Sequence, residues 1–332
     1  MSKKRITAPW GTTYAHLISR TVDKDFKFED VRDKLMMRDI LRRSAKFSGV
    51  RVITFAFMSN HFHFLVAIPP RPKKIPLAVV RSRIEDLYES DALDAILAEW
   101  DRIEDEDGQE ALEEFADTFR RRMYDMAEFM KTCKQRITLR YNKNHSRSGT
   151  LWESRYKSLL VQGEPSALAL RSLAAYIDLN PVRGGIVDDP ASYPFSGYGE
   201  AMAGNEEAQN ALKEVLPPTG DGSWEDFDKE YRKLLYASEE KKNGPMAAKR
   251  LEDAMHARYA LPDFLRQTIR FFSDGLALGD KNFVNQVFTK HRDHFGSKRK
   301  DGARSIPYCQ DWRGKVYAAR DLRKRPIVSL TG

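Results

Sequence analysis

The sequence has little cysteine, no long apolar run and no internal repeat. Cys133 and Cys309 are the two thiols and lie far apart, so the chain can build neither a Cys-rich zinc site nor a disulfide framework. Cys133 falls on an apolar helical face and is expected to be a buried thiol. No run of about 18 apolar residues occurs, which excludes a membrane-spanning helix. The N-terminus, MSKKRITAPWGTTY, is basic but has no apolar segment of the secretory kind, so the expected compartment is the cytoplasm.

What the sequence does have is charge and aromatic mass. Of its 332 residues 31% are charged, Lys and Arg numbering 56 against 48 Asp and Glu, a net charge of +8. A hydrophobic fraction of 41% with eighteen Phe and five Trp supplies a core for one large or two ordinary domains. The positive balance favours an anionic partner, most commonly nucleic acid.

Residues 12–22 (TTYAHLISRTV) read as a first strand. Residues 29–47 read as a helix with Val31, Leu35, Met36 and Ile40 on one stripe. Val50–Met58 and His61–Ile68 follow as strands joined through Ser59 and Asn60, a predicted hairpin ended by Pro69 and Pro70. Residues 71–118 change character, with fifteen acidic residues and one Arg between Glu85 and Asp117. Leu87, Leu93, Ile96, Leu97 and Trp100 among them predict an acidic helical insertion, either a solvated face or a flap that competes with DNA for a basic groove. Phe119–Leu139 reads as one helix, since Phe119, Met123, Met126, Met130, Cys133 and Ile137 recur at steps of four and three. A basic loop, 140–149, leads to a predicted strand Thr150–Val161 and a helix capped at Ser166 that runs to Leu179.

This order over residues 10–190 predicts an α+β fold with helices packed on an antiparallel sheet, within a first domain of residues 1–200. Gly204–Asn210 and Pro217–Gly222 read as linkers. Residues 201–332 are expected to form a mostly helical region with a basic end, thirteen Lys or Arg against four Asp from Lys281 to Arg325.

Three groups of residues could carry chemistry. His61 and His63 alternate on a strand and so share a face, with Phe62 and Phe64 on the other; two imidazoles so placed can share a cation, or be ordinary sheet residues. Tyr176 and Asn180 are one helical turn apart, and Tyr176 lies beside the stripe of Leu170, Ala174 and Ile177. It is expected at the rim with its hydroxyl outward. Asn180, before Pro181, is biased away from helical geometry and is either a functional side chain or a C-terminal cap. Arg147, Trp152, Arg155, Tyr156, Lys157 and Arg183 interleave cations with aromatics, which suits single-stranded nucleic acid or a solvated strand edge.

Together these segments resemble a known family. Met58-Ser59-Asn60-His61-Phe62-His63-Phe64-Leu65 resembles the HUH strand of single-tyrosine transposases. Residues 175–187 (AYIDLNPVRGGIV) resemble the tyrosine helix of their REP-associated branch. Residues 149–157 (GTLWESRYK) and 193–196 (YPFS) resemble the segments before and after that helix. The resemblance covers roughly residues 10–200, in the family's order, and implies a ferredoxin-like α+β fold. It implies that Tyr176 is the nucleophile, that His61, His63 and Asn180 hold Mg²⁺ or Mn²⁺, and that one DNA strand is cut near hairpins through a 5′-phosphotyrosine link. Arg147, Trp152, Arg155, Lys157 and Arg183 would touch the DNA.

The implied partners are single-stranded or hairpin DNA, the implied assembly a monomer or homodimer, and the location nucleoid-associated. Ser59 stands where the family usually has proline, a turn position not expected to affect the chemistry. The acidic insertion and the region after residue 200 exceed the family core. A regulator that binds hairpins without cutting is the alternative. A hydrolase using water on the His pair is disfavoured, because no acidic cluster adjoins the pair in sequence.

Overall fold

The computed structural model describes residues 6–8, 10–164, 168–218, 220–236, 272, 275–311 and 314–319, with the backbone alone at 236, 307–311, 314 and 315. The predicted cap Ser166 and the Cys309 side chain lie outside the described residues. β1 (Thr13–Arg20), β2 (Arg51–Phe57) and β3 (His61–Ile68) pair antiparallel with β3 in the middle. The predicted hairpin is present, Arg51 opposite Ala67 and Phe57 opposite Phe62. On the far side of β1 lies β4 (Lys157–Val161), shorter than the predicted Thr150–Val161. Residues 150–156 are instead irregular and carry one isolated bridge, Trp152 to Thr21.

Three later strands, β5 (Ala277–Gly279), β6 (Arg304–Asp311) and β7 (Gly314–Ala318), extend this sheet to the order β2-β3-β1-β4-β5-β7-β6. β5 runs parallel to β4 and the other pairs are antiparallel, so the chain has a mixed α/β architecture. Among the described residues, strands thus accompany the helices expected after residue 200. β5 is three residues long and β6 contains Pro307, so neither shows the clean alternation by which a strand is recognised.

One face of the sheet is covered by α1 (Val31–Ser48) and α5 (Met126–Asn144). Leu17, Phe55, Phe57, Phe62 and Phe64 form the core beneath them, each aromatic contributing about 1.5–3 kcal/mol by leaving water. Asp30 caps α1 by accepting from the Arg32 amide, and Gly49 ends it in the left-handed region at φ 65°. The predicted stripe on this helix is corrected. Val31 and Leu35 are exposed, and Met37, Ile40, Leu41, Ala45 and Phe47 are buried. Ser44 and Ser48 are also fully buried on this helix and blur its apolar pattern.

The predicted single helix over 119–139 is two. α4 (Gly108–Arg120) ends in a turn, Tyr124 adopts φ 57°, and Asp125 caps α5 by accepting from the Ala127 and Glu128 amides. The acidic insertion is helical as expected: α2 (Leu77–Leu87), α3 (Ser90–Arg102), a π turn at Ile103–Asp107, and α4. It has its own core of Ile84, Leu87, Trp100, Leu112 and Phe119, joined to α1 through Phe47.

The opposite face carries α6 (Leu168–Asp178), α7 (Asn180–Arg183), α8 (Gly197–Met202), α9 (Glu206–Lys213) and α10 (Trp224–Tyr236). α9, capped by Asn205, replaces the predicted linker at 204–210. A bulge between Val52 and Thr54 in β2 gives one extra residue on that strand. Ile53 joins the core on this face, and the Thr54 hydroxyl reaches Asp178 of α6 at 2.6 Å. α8 lies so close here that a Cβ at Gly197 would come within 2.3 Å of the Thr54 hydroxyl oxygen. Among the described residues no helix is long and apolar enough to cross a membrane.

Candidate active site

β3 places His61 and His63 on the α6 face and Phe62 and Phe64 on the α1/α5 face, as alternation requires. The two imidazole centroids are 4.9 Å apart. α6 packs over this end of the sheet and brings the Tyr176 ring to 5.8 Å from that of His63, edge to face. Tyr176 is not at the rim: it is 6% exposed, stacked on Phe272 at 4.9 Å. The helical wheel puts Tyr176 beside the stripe, but the cover comes from a residue distant in sequence. The Arg183 guanidinium sits over the other part of the site, 5.0 Å from the Tyr176 ring centroid.

A third imidazole, His16 of β1, completes the arrangement. It is fully buried, 2.8 Å from its nitrogen Nε2 to Nδ1 of His63 and 2.9 Å from its own Nδ1 to the Phe272 carbonyl. Burial pushes His16 down to about 3 and His61 to about 4, and holds His63 well below the ordinary histidine range, with the neighbouring cations and imidazoles adding to the effect on His63. All three rings are neutral at physiological pH.

The tautomers are assigned from the hydrogen-bond network. The Phe272 carbonyl only accepts, so His16 carries its proton on Nδ1, and its bare Nε2 accepts from His63 Nδ1–H. On the other ligand, Asn60 donates its amide to the Lys24 carbonyl, which turns its oxygen toward His61 at 2.6 Å and places the His61 proton on Nδ1. Both His61 and His63 are left with an unprotonated Nε2, the form in which imidazole binds metal while its other nitrogen donates to a second shell.

Asn180 opens α7, so the predicted departure from helical geometry at the residue before Pro181 is corrected; the chain keeps one more turn, to Arg183, before Gly184 and Gly185. Its amide nitrogen donates to the Tyr176 carbonyl at 2.9 Å, the capping role weighed for it, and this bond uses the nitrogen rather than the oxygen that a hard cation takes. Two imidazole nitrogens and an amide oxygen are a donor set suited to Mn²⁺, and to Mg²⁺ with oxygen ligands added. Among the described residues no group of three or more His, Cys, Asp or Glu is placed to hold a metal ion.

The basic and aromatic set divides between the two faces. Lys157 lies opposite Ile18, which in turn lies opposite His63, and Arg183 covers Tyr176, so these two border the site. Trp152 is buried against α5 with its indole nitrogen donating to Thr138 Oγ1 at 2.9 Å, and Tyr156 is buried in the same core. Neither can act as an open stacking platform without rearrangement. Arg147 bonds Asn142 at 2.9 Å and the Thr150 carbonyl at 3.3 Å and lies over Tyr141, on the α5 side. Arg155 is exposed at the edge of a cleft on that same side.

His16 and Asp178 are the residues that sequence reasoning missed. Asp178, two residues beyond Tyr176, is buried and accepts from Thr54, Tyr231 and the Tyr198 amide. Tyr193 and Phe195, in a segment singled out by resemblance, brace the edge of β2: the Tyr193 hydroxyl donates to the Phe57 carbonyl, and the Phe57 amide donates to the Phe195 carbonyl.

No family model matches the chain, and no curated protein does. Among solved structures it is similar to a REP-associated tyrosine transposase bound to a REP hairpin, at 14% identity and a TM-score of 0.37, over 67% of this chain and 94% of that one.

Proposed function

We propose that this chain is a metal-dependent single-strand DNA endonuclease and strand transferase, a transposase of the REP-associated single-tyrosine HUH type. The observation that carries this reading is the meeting of motif segments from distant parts of the sequence, with Tyr176 of α6 at 5.8 Å from His63 of β3. The order β2-β3-β1-β4 with α1 and α5 on one face supports a ferredoxin-like core.

In this reading the Tyr176 oxygen attacks the phosphorus of one strand. A tyrosine–phosphorus ester forms, and the bond from phosphorus to the 3′-oxygen breaks. The phenol gives up one proton and the leaving 3′-oxygen gains one, so the step is balanced, and the retained ester permits rejoining without ATP. A tyrosine hydroxyl ordinarily ionises near 10, so the attack needs assistance. The Arg183 guanidinium places a permanent charge beside the ring on which negative charge develops. Nε2 of His61, Nε2 of His63 and the Asn180 amide oxygen would hold Mg²⁺ or Mn²⁺, which supplies charge neutralisation for phosphate oxygens when bound. His16 and Asn60 keep both imidazoles in the ligating tautomer. Lys157 and Arg183 border the path of the strand.

The test is a covalent adduct. With Mn²⁺ and a labelled hairpin, the wild type forms a protein–DNA adduct that survives denaturation. Tyr176→Phe forms none while its binding is nearly unchanged, and His61→Ala with His63→Ala abolishes cleavage. Adducts on Tyr176→Phe remove the assignment of the nucleophile. The second reading, a hairpin-binding regulator that does not cut, is favoured by the cover of Phe272 over Tyr176. Tight hairpin binding with no adduct from the wild type selects it.

A further inference from the structure

On the α5 side of the sheet a cleft of 1610 Å³ runs between α5, the segment before β1 and α11 (Lys281–Lys290). Its lining carries five permanent cations, Arg71, Lys131, Lys134, Arg155 and Lys290, against two carboxylates, Asp125 and Asp293. Asp125 is engaged in capping α5, and Asp293 lies 3.7 Å from His294. Trp10 lines this cleft at 59% exposed, which leaves its indole accessible to a partner. Cations along a groove with an exposed aromatic are the combination that tracks a phosphate backbone and stacks its bases.

The cleft lies on the opposite face of the sheet from the site and comes near it at the start of β4. Arg155 lines it and Lys157 lies on the His63 face, two residues apart around the start of β4. Among the described residues β5 pairs with β4 at Leu160 and Val161, leaving the Lys157 end of that edge outside the pairing. From there the cleft extends to Thr13 and Ile68, the other end of the paired strands β1 and β3, roughly 20 Å at about 3.3 Å per residue.

We propose that this cleft holds single-stranded DNA flanking the segment engaged at Tyr176, its phosphates along the lysines and arginines and a base on Trp10. The link to Tyr176 rests on the reading of that site as DNA-cutting; the occupant of the cleft is tested separately. The probe is oligothymidine of about twelve nucleotides, within the usual range for such grooves. Trp10 and Lys131 are both exposed, so Trp10→Ala and Lys131→Glu leave the core intact.

The wild type binds the probe, Trp10→Ala weakens binding about tenfold, and Lys131→Glu lowers the slope of log affinity against log salt by about 0.7. Each variant also reduces the gain in affinity that a single-stranded extension gives a hairpin, while the bare hairpin binds as before. No binding of oligothymidine by the wild type, or equal binding by all three proteins, overturns the cleft. Trp10-dependent binding of the probe without any Tyr176 adduct on the labelled hairpin overturns the reading of the site and leaves the cleft standing.

Discussion

His16 can accept from His63 only while its own Nε2 is bare, and complete burial keeps it so by disfavouring the imidazolium. The proton on His63 is thereby committed to Nδ1, and the cost of the wrong tautomer is a buried N–H without an acceptor, about 1–3 kcal/mol. His16→Leu removes that preference. It is expected to lower Mn²⁺ affinity about ten- to a hundredfold, the usual effect of losing an outer-shell partner, with His16→Gln recovering part of it through its amide oxygen. Metal-dependent thermal shift measures the affinity, and ¹⁵N chemical shifts of the His63 ring report the tautomer in metal-free protein. A leucine variant that matches the wild type in both removes His16 from the site. The sequence made His61, His63, Tyr176 and Asn180 legible because each sits in a recognisable pattern. His16 shows no such pattern: in Tyr14-Ala15-His16-Leu17 it alternates like any strand residue, and only the register of β1 on β3 brings it diagonally against His63. The burial of Tyr176 was hidden for a related reason, since Phe272 approaches from far along the chain.

At the scale of elements, the acidic insertion has an apolar core that includes Phe47 of α1, and ion pairs from Arg43 and Arg140 to Glu89 add to the join. Trp100 is its largest buried side chain, 2% exposed, with Arg81 stacked at 6.0 Å from its ring. Trp100→Ala is expected to cost about 3–5 kcal/mol, and because the insertion's core is a separate cluster the loss should be local. Hydrogen exchange should accelerate across α2 to α4 while β1 to β4 keep their protection. Equal acceleration everywhere would show that the insertion and the sheet unfold as one unit. The helical character of this stretch was readable from Leu87, Leu93, Ile96 and Trp100, but the break before α5 was not. Phe119 and Met123 serve the insertion's core and Met126, Met130 and Cys133 the core under the sheet, so one continuous stripe spans two helices and two cores. The signal that could have marked the break is Asp125 followed three residues later by Glu128, a helix start inside an otherwise unbroken period. The hairpin was legible because its strands are short runs rich in aromatic and β-branched residues and its link is short. The late strands were not, because their pairing partners are remote and their own patterns short.

For the whole molecule, Asp178 joins elements that the sequence separates. Its carboxyl accepts from Thr54 of β2 at 2.6 Å, Tyr231 of α10 at 2.6 Å and the Tyr198 amide of α8 at 3.3 Å. Burial outweighs these three donors and pushes Asp178 up to about 7, far above its unfolded value. The folded chain then holds a proton that the unfolded chain has lost, so this group's contribution to stability is full below about pH 4 and falls as pH rises toward about 7. His16, His61 and His63 act in the opposite direction. Their folded values lie below the ordinary 6.5, so their contribution is full above about 6.5 and is lost as pH falls. Between about 4 and 6.5 three histidines oppose one carboxylate and the acid side destabilises; above about 6.5 the unfolded histidines finish losing their protons over the same range in which Asp178 loses its own. At about pH 6.5 each unfolded histidine is still half protonated, so the three together outweigh Asp178 there, and the balance of these four groups levels off only above about pH 7. Asp178→Asn cannot titrate, so the difference between the melting curves of wild type and variant, measured from about pH 4 to 8 without metal, isolates the carboxyl. That difference should shift against the wild type as pH rises to about 7 and then level. A difference that stays flat, or moves in favour of the wild type over that range, would mean that the three donors hold Asp178 as a carboxylate and that the junction of β2, α6, α8 and α10 is built around a buried negative charge.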